Sequence, residues 1–149
     1  KISQLETESQ GPVIGFSARV PICFFEDTAT LLNNFEQIIS NKGNQFNPAT
    51  GEFTAPLDGL YATSLSVKPR AIGILDFSIV KLPSTSSCCN PSLCEEFTVD
   101  KIFISEDDRN MSVFVTVDLK VGEKLSVIYK SRDVVTYVPC NIVFTCFRI

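Results

Sequence analysis

The sequence predicts an all-β sandwich. Apolar and polar residues alternate with a period of two along most of the chain, clusters of Gly, Pro, Asn and Asp punctuate the alternation, and only one stretch carries a helical period. Many short strands separated by turn signals are the pattern of a sandwich or barrel rather than of a layered α/β domain. A chain of 149 residues, 44% hydrophobic and 20% charged, can bury one core and is read as a single domain.

In chain order, residues 1–11, "KISQLETESQG", form a polar arm expected to be flexible. Ile14, Phe16, Ala18 and Val20 then share one face of a first strand. The segment "ATLLNNFEQII" could instead form a helix with Leu31, Leu32, Phe35, Ile38 and Ile39 on one side. Tyr61, Thr63, Leu65 and Val67 mark another strand, followed by Leu75, Phe77 and Ile79. Phe97, Val99 and Phe103 read as one face broken by Lys101. Val113, Val115, Val117 and Leu119 follow, then Leu125, Val127 and Tyr129, and finally Ile142, Phe144 and Cys146. Between them lie turn-rich stretches such as "NPATGE", "APLDG", "SEDDRN" and "KVGEK".

Charge and cysteine narrow the function. The 13 basic residues face 17 acidic ones, a net charge of −4 that opposes binding to a phosphate backbone, so nucleic acid is a poor partner. No apolar run reaches the roughly 18 residues of a membrane span, and insertion into a membrane is not expected. The chain starts at Lys1, as expected if a leader was removed. Six cysteines, Cys23, Cys88, Cys89, Cys94, Cys140 and Cys146, are many for a reducing compartment and suggest an extracellular protein with at least one disulfide. All six are disulfide candidates, with Cys94 expected to join one of the Cys88–Cys89 pair. Cys140 and Cys146 share one apparent strand about 20 Å apart and cannot join each other unless that strand bends sharply. Asn110-Met111-Ser112 is an N-glycosylation sequon.

The chain contains no histidine, which removes the usual general base for a serine or cysteine nucleophile and the commonest zinc ligand. It is therefore read as a binding protein rather than an enzyme. Glu106, Asp107 and Asp108 could supply hard oxygen ligands to calcium, although such a run also suits a solvated turn.

Phe35, Asn41, Phe46, Phe53, Gly59 and Tyr61 are separated by five, four, six, five and one residues. This order and spacing resemble the signature of the C1q globular-head domain, and "FNPATGEFTAPLDGLY" is similar to that family's strand-turn-strand centre. "VIGFSARV", "VDLKVGEKLSVIY" and "VFTCFRI" resemble its first strand, a later turn and its closing strand. The likeness spans residues 12–149, the expected globular domain. It departs at Thr63 and Leu65, where the family usually has aromatics, and at Cys146, where it usually has glycine.

The resemblance implies a ten-stranded antiparallel jelly roll of the C1q and tumour necrosis factor type, assembled as a homotrimer. It also favours strand over helix for the second half of 29–39. In such a fold the turns at 68–73, 105–111 and 131–139 share the end opposite both termini. By resemblance, calcium would be held there by Asp107 and Asp108, and Arg70, Arg109 and Arg132 could meet a carboxylate with their guanidinium forks. Tyr137 offers a ring to a sugar face. Residues 1–11 carry no collagen-like repeat, and stalkless invertebrate members of the family include pattern-recognition lectins, some directed at sialic acid.

The expected function is thus that of a secreted lectin of innate immunity, binding glycans on cell or microbial surfaces with the avidity of three copies. The alternatives are a receptor-binding ligand of the cerebellin or adipokine type and a structural protein of the extracellular matrix.

Overall fold

The computed structural model describes residues 13–25, 30–33, 35–68, 74–85, 97–105, 111–132 and 136–149, with backbone alone at 22–25, 74–75, 103–105, 131–132 and 136–140. The proposed N-terminal arm lies outside the described residues.

Eleven strands are described: β1 (Gly15–Phe25), β2 (Thr30–Leu31), β3 (Gln37–Lys42), β4 (Phe46–Asn47), β5 (Glu52–Thr54), β6 (Gly59–Val67), β7 (Ile74–Leu82), β8 (Thr98–Ser105), β9 (Met111–Leu119), β10 (Lys124–Arg132) and β11 (Thr136–Arg148). Ten lie on two antiparallel paths, β3-β1-β11-β6-β9 and β4-β5-β10-β7-β8, and the two-residue β2 adds a short pairing on β10. This is the expected jelly roll. Residues 30–33 and 35–39 contain no helix, and β3 takes the second half of the ambiguous segment.

Alternation explains which side chains are inside. Phe16, Ala18 and Val20 on β1, Tyr61, Leu65 and Val67 on β6, and Ile142, Phe144 and Cys146 on β11 are buried against Phe77, Ile79, Leu125 and Val127 of the facing sheet. One strand departs from the sequence reading. Among the described side chains of β8, Ile102 is buried opposite Phe77 and Val99 packs against the core as expected, while Lys101 points outward and pairs with Asp76 at 3.7 Å. The pairing slips between Ile79 and Val80, and such an irregularity moves the side chains beyond it to the other face.

The aromatic signature forms the centre of the core. Phe46 stacks on Phe16 with ring centroids 4.0 Å apart, and Phe35 meets Phe46 edge-on at 5.2 Å. Phe53 links Phe16 at 5.4 Å to Tyr61 at 5.7 Å. The Asn41 amide acts as a substitute strand, donating from Nδ2 to the Phe46 carbonyl at 3.0 Å and accepting from the Phe46 N–H at 3.3 Å. Gly51, at φ 73°, closes the turn between β4 and β5 against the Leu32 carbonyl, where a Cβ has no room. At Gly59 a Cβ would meet the Arg148 guanidinium at 2.7 Å, and that guanidinium donates twice to the Asp58 carbonyl. The irregular spacing of the signature therefore follows strands and turns delivering rings to one core.

Candidate functional site

Three surfaces are distinguished by the strand registers. The first is the end opposite the termini. Val67 pairs with Met111, and Ile74 pairs with both Ser105 and Arg132, so β6, β7, β8, β9 and β10 reach the same end, as does the start of β11 at Thr136. Gly15 pairs with Phe147 and Lys42, and Gly59 with Leu119, at the opposite end. The connections 68–73, 106–110 and 133–135 are thus anchored at one end, as the sequence reading expected.

Five of the predicted site residues belong to those connections. Arg70, Asp107, Asp108, Arg109 and Asn110 lie outside the described residues, as do Cys88, Cys89 and Cys94. Arg132 ends β10 opposite Ile74, and Tyr137 lies on β11 opposite Phe24; their side chains are outside the description. Cys23 pairs in register with Val138, and Cys140 lies on the same β11 as Cys146.

Cys146 corrects one expectation. It is a free thiol, fully buried, so it is not a disulfide partner. Burial pushes its pKa up to about 12, with a hydrogen bond to the Thr63 side chain acting in the other direction. The thiol is packed as a small apolar group in the position beside Thr63 on β6.

The second surface is the outer face of the β3-β1-β11-β6-β9 sheet. A row of small residues and one ring, Ser17, Thr145, Ser64 and Phe114, runs straight across four strands. The Ser17 and Thr145 hydroxyls are 2.9 Å apart, and Phe114 is 65% exposed. At the next level Arg19 keeps Nη1 3.5 Å from Gln37 Oε1, while its buried Nε has no partner among the described residues.

The third surface was not anticipated by the sequence. A cleft of about 490 Å³ opens between the edge strands β8 and β9, toward the end that holds the termini, and is lined by Leu82, Phe97, Val99 and Val117 with Lys81 and Glu123. Lys81 Nζ reaches across from β7 to donate to the Asp118 carbonyl of β9 at 2.9 Å, and lies 3.6 Å from Glu123 Oε1. That same carboxylate oxygen accepts the Lys120 N–H at 2.8 Å. Lys81, Phe97 and Glu123 come from three separate elements, so no spacing in the chain signals their meeting.

Among the described residues no group of three His, Cys, Asp or Glu side chains could hold a metal, and no helix is long and apolar enough to cross a membrane.

A family model, the C1q domain, matches residues 16–147. The chain belongs to the C1q-domain family. Among solved structures it is similar to the globular domain of zebrafish complement 1qA protein, with a TM-score of 0.66, 17% identity, and coverage of 92% of this chain and 97% of that one. The PRD1 vertex protein P5 matches with a TM-score of 0.63 at 10% identity, covering 93% and 99% of the two chains. Murine APRIL matches at 0.58 and 10% identity, covering 92% and 99%. At these identities the likenesses establish a shared jelly roll and nothing finer. No curated relative matches the chain in sequence.

Proposed function

We propose that this C1q-domain protein is a secreted, non-enzymatic recognition protein that assembles as a homotrimer and binds glycans through the loops at the end opposite its termini. The observation that carries the reading is the convergence of the β6–β7, β8–β9 and β10–β11 connections on one end. Those connections and their flanks carry Arg70, Arg109, Arg132 and Tyr137, a set suited to an acidic sugar such as sialic acid, and Asp107 and Asp108, a pair suited to calcium. Self-association is supported by the row of small uncharged residues Ser17, Thr145 and Ser64 on the outer face of the β3-β1-β11-β6-β9 sheet. Three equivalent end surfaces would turn weak sugar contacts into useful avidity when the spacing fits.

A glycan array probed with and without chelator tests the proposal. Binding to acidic glycans that falls on Arg70→Ala, Arg109→Ala or Arg132→Ala supports it, and dependence on the chelator supports calcium. A blank array in both conditions removes the lectin reading. Tight binding to a single receptor ectodomain beside a blank array would select the receptor-ligand reading as the alternative.

A further inference from the structure

We propose that the cleft between β8 and β9 is a separate carbohydrate site that takes a neutral hexose. It shares with the preceding reading only the class of ligand, and it lies toward the opposite end of the strands, about 25 Å away at the rise of an extended chain.

The cleft combines an apolar wall with a balanced pair of polar groups. Phe97 is 40% exposed and lines the cleft with Val99 and Val117, an aromatic and aliphatic wall suited to the C–H face of a pyranose. At about 490 Å³ the space falls within the usual range for a small-molecule site.

The polar end sets the selectivity. Lys81 uses one donor on the Asp118 carbonyl and turns toward Glu123, leaving an N–H of the ammonium for a ligand. Glu123 engages Oε1 with the Lys120 N–H and offers Oε2 as an acceptor. A donor and an acceptor side by side match adjacent sugar hydroxyls, each of which both gives and takes a hydrogen bond. Because the two charges cancel locally, a sugar carboxylate gains little from Lys81 and is opposed by Glu123. An acyl chain fares worse, since it would cover both charged groups without pairing them. The groups are also held in place: Lys81 lies on β7, Phe97 immediately precedes β8, and the Lys81 contact ties β7 to β9.

The test is an amide-resolved NMR titration of the full chain with methyl glycosides of mannose, galactose and glucose, beside N-acetylneuraminic acid. The expected result is saturable shifts at Val99, Val117 and Glu123 with at least one neutral hexoside and none there with the acidic sugar. Phe97→Leu should weaken that binding about tenfold, or 1.4 kcal/mol, with the melting temperature unchanged. Glu123→Gln, which keeps an acceptor for the Lys120 N–H, should narrow the preference against the acidic sugar. Absence of shifts with all three hexosides, unaltered affinity in Phe97→Leu, or cross-links showing a second copy seated in the cleft would each overturn the proposal. Acidic-glycan binding that is lost in Arg132→Ala would persist in any of those outcomes if the loop reading alone is right.

Discussion

Replacing Phe16 with alanine removes the ring on which the aromatic centre is built. Phe16 is 2% exposed, stacks on Phe46 at 4.0 Å, and meets Phe53 at 5.4 Å and Phe144 edge-on at 5.0 Å. Truncating a buried phenylalanine costs about 3–5 kcal/mol through lost transfer energy and the cavity left behind. Ring pairs add about 0.5–1.5 kcal/mol beyond area, and three partners lose their contact here, which places the expected cost near the top, about 5 kcal/mol. A domain stable by only about 5–15 kcal/mol would then stand at the edge of unfolding. Phe16→Leu retains most of the volume and loses the ring geometry, so about 1–2 kcal/mol is expected. Urea unfolding followed by far-UV circular dichroism measures both, at one fixed protein concentration because self-association shifts the midpoint. Val121→Ala, at a residue 58% exposed in the β9–β10 turn, serves as the control and should stay within about 0.5 kcal/mol. A Phe16→Ala cost within about 1 kcal/mol, or equal costs for leucine and alanine, would refute the central role given to the ring cluster.

Other changes probe the turn, the thiol and one hydroxyl. Gly51→Ala should destabilise by more than about 2 kcal/mol, because φ is 73° and the new Cβ meets the Leu32 carbonyl; a thermal midpoint equal to wild type would count against the turn. Cys146 holds its proton to about 12 when folded against an ordinary 9.0. Between those values the unfolded chain ionises first, so stability falls as pH rises. Cys146→Ala should flatten that fall between denaturation curves at about pH 8 and about pH 10, and an unchanged slope would mean the thiol is not buried. Tyr61 donates its hydroxyl to the Leu57 carbonyl at 2.8 Å, so Tyr61→Phe should cost about 1 kcal/mol in urea unfolding. No measurable loss would show that water satisfies both groups equally well.

The inward faces of the strands were legible because a side chain in a strand has only two directions, and burial leaves its mark at every second position. Ile14, Phe16, Ala18 and Val20 illustrate this, as do Tyr61, Leu65 and Val67. On β8 the reading held for Val99 but not for Ile102, which one irregularity beside Ile79 turns inward while Lys101 stays outside. Alternation carries no record of such a shift, whereas an outward Asp76 waiting on the neighbouring strand rewards it. Cys146 misled for a different reason. An even cysteine count suggests pairing, but a thiol is also small and apolar enough to fill a core position facing Thr63.

Function was legible to the extent that short connections constrain where loops emerge. Three residues between Arg132 and Thr136, and five between Ser105 and Met111, cannot cross the length of a nine-residue strand, so the registers alone gather those loops at one end. The lateral cleft obeys no such local rule. Lys81, Phe97 and Glu123 meet only because β8 and β9 close the same open side of the sandwich, and Lys81 is long enough to reach the Asp118 carbonyl across the gap. Contacts between sheets depend on the whole topology, while connections within it depend on a few residues of chain. A reader of the sequence can therefore infer where loops gather before the fold is known, and can find a cleft between edge strands only afterwards.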